Sequence, residues 1–360
     1  MERHDCRLCG GALSQVFALK PSAIANDYKP EPDSGAKKYP LELMQCGDCG
    51  HVQQRYVLEG LFRDYKYATP QTVARYVHPV AKRIAEEYPG ARVLEIGCNN
   101  GVFLDCLIAE GLEAWGVDPA ASHKNSLKGY FDGGLARSLG KHSFDVVVGN
   151  NVFAHIDDLR GVFGGISYIL KPTGCVVFEV QYLVDLVKSG EFDMIYHEHL
   201  DYHTLWPLVN FLEVYGMVVT KFDHIQNHGG SIRVWAKFAG EPCEIPFETL
   251  DWGALKERIE ATKTRLRAVL RSHGSVVLYG AAAKATTLIN ELGIEKHIKF
   301  AVDDTPQKQY RFIPGTDIHI YPTSMLKPED VVLLGAWNYA DVISKKIPNK
   351  LIHPFRCGLE

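Results

Sequence analysis

The chain has 360 residues, too many for one ordinary hydrophobic core, so two or three domains are expected. It is 46% hydrophobic and 23% charged with a formal net charge of -4, a globular composition that argues against broad nucleic-acid binding, which needs a basic face. The sequence has no apolar run of the roughly 18 residues a membrane span requires. Its opening, MERHDCRLCGG, lacks a signal-peptide core, so a cytoplasmic protein with no membrane partner is expected.

Four of the nine cysteines form two CxxC pairs, Cys6 with Cys9 and Cys46 with Cys49; the rest are scattered singly. In a reducing compartment that doubled spacing points to metal rather than disulfides. Two residues between cysteines let a tight turn aim both sulfurs at one ion, and two such pairs satisfy tetrahedral zinc. A closed set of four thiolates leaves no position for water, so the zinc is expected to be structural. The Pro-, Gly- and Lys-rich stretch between the pairs cannot bury much core and needs such a staple. A zinc module over residues 1–60 is expected.

Residues 61–90 carry apolar positions at helical spacing. From ARVLEIGCNNG onward, β-branched runs alternate with helical segments: EAWGVDPA, SFDVVVGNNVFAHI and GCVVFEVQYL each read as a strand. Such alternation indicates a parallel sheet covered by helices. From about residue 181 to 245 the pattern turns irregular and rich in His and Tyr. WGALKERIEATKTRLRAVLRSHG then reads as one long amphipathic helix with Leu255, Ile259, Leu266 and Leu270 on a common face. SVVLYGAAAKA, IKFAVDDTP and DVVLLGAWNYA repeat the strand-and-turn theme. The expected architecture is α/β: a Rossmann-like domain with a catalytic insertion over 61–245, and a second Rossmann-like domain over 246–360.

LEIGCNNG puts Glu95, Gly97, Asn99 and Gly101 at the carboxyl end of a strand, where open α/β sheets bind ligands. Asp118 ends the next strand, placed to accept hydrogen bonds from two ribose hydroxyls, and Asn150 and Asn151 end the third. A dinucleotide site would show GxGxxG. This turn instead resembles the ExGxxxG turn of class I methyltransferases that use S-adenosylmethionine (SAM). Groups able to transfer protons concentrate in NVFAHI, with His155, and in YHEHLDYH, with Tyr196, Glu198, His199 and Tyr202. HEH is not a zinc-protease HExxH, because residues two apart do not share a helix face. NHGGSIRV adds His228 and Arg233 beside paired glycines, suited to an anion or to a hairpin turn.

Taken together, CRLCG, CGDCG, LFRDYKYAT, LEIGCNNG, NVFAHI, YHEHLDY, NHGGSIRVW, YGAAAKATTL, VDDTPQKQ and GAWNYA resemble, in order and over nearly the whole chain, the sugar C-methyltransferases of antibiotic deoxysugar pathways. One departure is Cys98-Asn99-Asn100-Gly101, where that family more often has Ser-Asn-Asp-Gly. The resemblance implies a SAM-dependent C-methyltransferase acting at the carbon α to the ketone of a nucleotide-linked 4-keto sugar. It implies His199 or Tyr196 as base, with His199 favoured for its near-neutral pKa, and Glu198 and His155 as orienting or polarising groups. Tyr76, Tyr202, His228, Arg233 and Lys284 are expected to meet the substrate, and a monomer or small homo-oligomer is expected. An O-methyltransferase acting on a sugar hydroxyl is the alternative.

Overall fold

The computed structural model describes residues 1–58, 61, 69, 73–226 and 229–356. The chain begins with strands β1 (Leu13–Ser22), β2 (Tyr39–Cys46) and β3 (Val52–Gln54), joined antiparallel. Helix α1 (Ala74–Glu87) follows, burying Val77, Val80, Ala81 and Ile84 on one face.

Strands β4 (Arg92–Ile96), β5 (Glu113–Asp118), β6 (Ser126–Lys128), β7 (Phe144–Asn150) and β8 (Leu170–Gln181) then alternate with helices α2 (Val102–Ala109), α3 (Gly133–Leu139) and α4 (Leu159–Ile169). The β-branched centres of β4, β7 and β8 are buried on both faces, as a sheet with helices on each side requires. Two helices start on aspartate caps: Asp132 accepts from the Leu135 amide and Asp158 from the Gly161 amide.

The irregular-looking stretch is more regular than its sequence suggests. It holds helix α5 (Leu183–Ser189), the two-residue strand β9 (Asp201–Tyr202), helix α6 (Leu205–Glu213) and an antiparallel hairpin, β10 (Val218–Ile225) with β11 (Ser231–Lys237). The hairpin extends the main sheet, whose order is β10-β11-β8-β7-β4-β5-β6. All of its pairings are parallel except those made by β11. The sequence hid these strands because their inward residues are interrupted by Lys, Asp, His and Arg. Strand β9 does not join this sheet; it pairs with β3, so the N-terminal sheet reads β1-β2-β3-β9.

Helix α7 (Trp252–His273), capped by Asp251, buries Leu255, Ile259, Leu266 and Leu270, the stripe its periodicity predicts. Beyond it lie β12 (Val276–Tyr279), α8 (Ala283–Leu292), β13 (Ile298–Val302), β14 (Ile320–Tyr321), β15 (Val332–Leu334), α9 (Ala340–Lys346) and β16 (Leu351–Ile352). Their sheet is all parallel, in the order β14-β13-β12-β15-β16, a Rossmann-like half. Among the described residues no helix is long and apolar enough to cross a membrane.

Hydrophobic packing joins the segments. Phe17, Leu19, Tyr28, Leu41 and Leu43 of the N-terminal region share one buried cluster with α7, β12, β13 and β15. Cys6, Leu8 and Cys46 pack into another with Phe153, Phe178 and Val180 of the central sheet. The N-terminal region therefore packs on both the C-terminal unit and the central sheet.

Candidate active site

The carboxyl ends of β4, β5, β7 and β8 open into a cavity of about 1020 Å³. Glu95, Gly97, Asn99, Asp118, Asn150 and Asn151 line it, bringing together the expected cofactor residues except Gly101, which ends the turn beside them. Gly97 has φ +81°, and a Cβ there would lie 2.7 Å from Val152. Only glycine allows both that left-handed turn and so close a neighbour. Asn99 is also left-handed, at φ +48°. Asp118 holds the turn from beneath, accepting from the Asn99 amide at 3.1 Å and the Ala120 amide at 2.6 Å. Burial, reinforced by the Asp118 charge, pushes the Glu95 carboxyl up to about 8. A buried carboxyl beside an acidic strand end suits a cationic ligand with ribose hydroxyls, so these residues fit SAM. Asn100, where the resemblance expects an acid, donates to the Thr69 carbonyl at 3.0 Å.

His155, half-buried, also lines the cavity, from the short turn after β7. Its Nδ1 lies 2.6 Å from the Glu198 carbonyl oxygen, which can only accept. The neutral ring therefore carries its proton on Nδ1 and its lone pair on Nε2, and burial holds its pKa below the ordinary histidine value. The ring centroid of His199 is 4.9 Å away. His199 is fixed in the same tautomer: Nδ1–H donates to the Met194 carbonyl at 2.9 Å, and Nε2 accepts from the Tyr196 hydroxyl at 2.7 Å. Tyr196 is half-buried and His199 buried.

The other residues of this segment face elsewhere. The Glu198 side chain turns to the N-terminal module, where Asn26 donates to it at 3.0 Å, and burial raises its pKa to about 7. Tyr202 is buried in β9 and receives a hydrogen bond from Gln54 at 3.4 Å. None of Tyr196, Glu198, His199 and Tyr202 is among the residues lining the cavity, which this segment reaches through Leu200; His199 stands behind the lining residue His155 through their ring contact.

Of the remaining expected substrate residues, Tyr76 lines the cavity from α1. Arg233 lies on β11 and is committed to Glu179 on the neighbouring strand at 2.5 Å. Lys284 is buried over the Trp337 ring and donates to Asn338 at 2.6 Å, so it supports a wall residue. Burial brings its pKa down to about 8. His228 lies outside the described residues. Sequence reasoning missed Glu179, Gln226, Asn338 and Asp341, which also line the cavity. Asn338 lay within the quoted GAWNYA, which was the available signal. A smaller adjoining cavity of about 370 Å³ shares Gln226, Asn338 and Asp341 and adds Lys188, Arg356 and Trp337.

On the opposite side of the β9 pairing, the four cysteine sulfurs lie within 4.8 Å of one another. The closest pairs are Cys9–Cys46 at 3.4 Å and Cys6–Cys49 at 3.6 Å. A zinc tetrahedron with bonds of about 2.3 Å places its sulfurs roughly 3.8 Å apart, so the set fits zinc.

The second Rossmann-like turn is filled by its own chain. Asp303 accepts from the Ala281 amide at 2.8 Å, while Tyr28 and Lys308 both donate to the Ala281 carbonyl, at 2.6 and 2.9 Å.

This fold and site define a SAM-dependent methyltransferase with a structural zinc module. Residues 65–221 match a methyltransferase domain family, residues 6–60 a zinc binding domain, and residues 247–352 the C-methyltransferase C-terminal domain. The chain is 30% identical to C-methyltransferase NovU of Streptomyces niveus, over 94% of this chain and 91% of that one. It is 29% identical to a ubiquinone biosynthesis O-methyltransferase of Bradyrhizobium sp. (strain ORS 278), over only 24% of this chain and 39% of that one. Among solved structures, the PH0226 protein of Pyrococcus horikoshii OT3 is similar with a TM-score of 0.38 and 16% identity, over 50% of this chain and 99% of that one. The chain belongs to the SAM-dependent C-methyltransferase family with an N-terminal zinc-binding domain and a C-terminal C-methyltransferase domain.

Proposed function

We propose that the protein methylates the carbon α to the ketone of a nucleotide-linked 4-keto deoxysugar, in a cytoplasmic antibiotic deoxysugar pathway. The observation that carries the reading is the Tyr196–His199 hydrogen bond of 2.7 Å beside His155 at the cavity wall. SAM, when bound, supplies an electrophilic methyl group. The protein must make the carbon nucleophilic and hold it in line.

The Tyr196–His199 couple is the base. His199 Nε2 draws the tyrosine proton, and the oxygen takes the α-proton from the sugar, so the couple gains one proton and the sugar becomes an enolate. The Met194 carbonyl supports the resulting imidazolium at Nδ1. Burial works against His155 becoming a cation, so it orients the sugar by accepting a hydroxyl proton at Nε2. The proton on His199 leaves to solvent after methyl transfer. The adjoining cavity sets Lys188 and Arg356 among Asp185, Glu191 and Asp341.

The test follows deuterium exchange at the α-carbon of a 4-keto nucleotide sugar, with S-adenosylhomocysteine in place of SAM. Wild-type protein should exchange. Tyr196→Phe and His199→Asn should each lose about 10²–10⁴ in exchange rate, and His155→Asn should slow exchange without removing it. Methylation by wild-type protein without any exchange would instead mean transfer to a sugar hydroxyl.

A further inference from the structure

Among the links between the zinc module and the reacting centre, one buried side chain, Arg7, touches both of the loops that carry it. Arg7 sits inside the first CxxC, between Cys6 and Cys9, and is fully buried. Its backbone amide donates to Gln53 Oε1 at 2.8 Å, which seats the turn on β3. Its guanidinium spans three segments. Nε donates to Asp157 at 3.0 Å, and Nη1 donates to the carbonyls of Gln54 at 3.1 Å and Leu200 at 3.2 Å. Asp201, already bound by His51 at 2.7 Å, lies 3.8 Å from the same guanidinium.

Asp157 is two residues past His155, and Leu200 directly follows His199. Two further hydrogen bonds tie these loops to each other: Leu200 N to the Ala154 carbonyl at 2.7 Å, and His155 Nδ1 to the Glu198 carbonyl. A planar, rigid fork with several donors is the side chain that can hold a carboxylate and two carbonyls in fixed relation. Four thiolates on one ion fix the turn that carries it.

We propose that Arg7 is a positioning residue for the reaction. Held by the metal-bound turn, it sets the distance between the loop carrying His155 and the segment carrying Tyr196 and His199. The inference rests on the reading of those three residues as the reacting centre. It gives the zinc module a role in rate as well as in stability. Asp157 and Leu200 line the same cavity as Glu95 and Asp118, but Arg7 bonds neither to the Glu95–Gly101 turn nor to Asp118, so cofactor affinity should not depend on it.

The experiment compares Arg7→Met, Arg7→Lys, Asp157→Asn and the Arg7→Met/Asp157→Asn double variant with wild type. Zinc content, SAM affinity, kcat, KM and the ¹⁵N signals of the His155 ring are measured. Arg7→Met should keep its zinc and its SAM affinity, because Arg3 still pairs with Asp157 at 3.0 Å. Its kcat should fall by about 10²-fold, the scale of a misplacement near 1 Å. Its His155 signals should move from a fixed Nδ1–H tautomer to an averaged one. Arg7→Lys should restore part of both, and the double variant should be no worse than the worse single variant. Zinc-replete Arg7→Met with unchanged kcat and His155 signals overturns the proposal. If Arg7→Met loses zinc or fails to fold, Asp157→Asn decides from the other end of the link: unchanged His155 signals and kcat overturn it. The ring signals need no turnover, so a wild type that shows no α-exchange sinks the proposed reaction while the clamp is still judged by them.

Discussion

At the scale of residues, two carboxyls with different surroundings line the proposed cofactor site. Asp118 accepts from the Asn99 and Ala120 backbone amides and lines the cavity. Asp118→Ala should weaken SAM binding by about 1.5–3 kcal/mol, the worth of hydrogen bonds to a charged group. Calorimetry showing unchanged affinity would remove Asp118 from the ribose. Glu95 is buried, and its folded pKa of about 8 lies above the ordinary value of 4.5. The stability it contributes is therefore full below pH 4.5 and is lost as pH rises through about 8. A bound sulfonium favours the ionised form, so SAM binding near neutral pH should release a proton from Glu95 and tighten as pH rises toward 8. Titrations in buffers of different ionisation enthalpy should report that release, and Glu95→Gln should abolish it.

At the scale of elements, the doubled CxxC was legible from spacing alone, whereas what it holds in place was not. The protein should carry about one zinc per chain, and elemental analysis of never-chelated protein is the check. Cys46→Ser should lose the metal and lower the melting temperature, since Cys46 ends β2 and packs against the central sheet. The pairing of β3 with β9 couples that loss to the segment just after His199. The stripe of α7 was also legible, because 3.6-residue periodicity survives in any context that buries one face. Strands β10 and β11 were not. Lys221, Asp223, His224 and Arg233 interrupt their apolar pattern; Lys221 pairs with Asp223 within β10, while His224 and Arg233 find partners across the fold in Asp185 and Glu179.

At the scale of the whole molecule, the C-terminal unit completes the site and the core. Asn338, Tyr339 and Asp341 form part of the cavity wall. Trp337 donates to Asp193 at 2.7 Å, and Thr287 to the Ile195 carbonyl at 3.3 Å, so this unit grips the segment leading to Tyr196. Deleting residues 246–360 should expose Phe17, Leu19, Leu41 and Leu43. The truncated chain should aggregate or bind hydrophobic dye, as an apolar face without its cover does. A soluble monomer with native SAM affinity would contradict this. The filled turn at Ala281 predicts that the C-terminal unit takes no nicotinamide dinucleotide, which equilibrium dialysis can check.

The sequence by itself determined what local chemistry encodes. The metal ligands, the glycine turn with its two carboxylates, the order of the central strands and the buried stripe of α7 depend on short spacings and backbone limits, which travel with the residues. It also brought Tyr196, His199 and His155 forward as a group. Only the tertiary structure decided which nitrogen of each imidazole carries the proton, because the Met194 and Glu198 carbonyls that dictate it are placed by folding. Burial likewise turned Glu198 toward Asn26, drew Tyr202 into a sheet of the zinc module and made Lys284 a support for Asn338. Those assignments rest on partners up to 172 residues distant in the chain. No spacing rule reaches that far, since the contacts exist only once three segments share their cores.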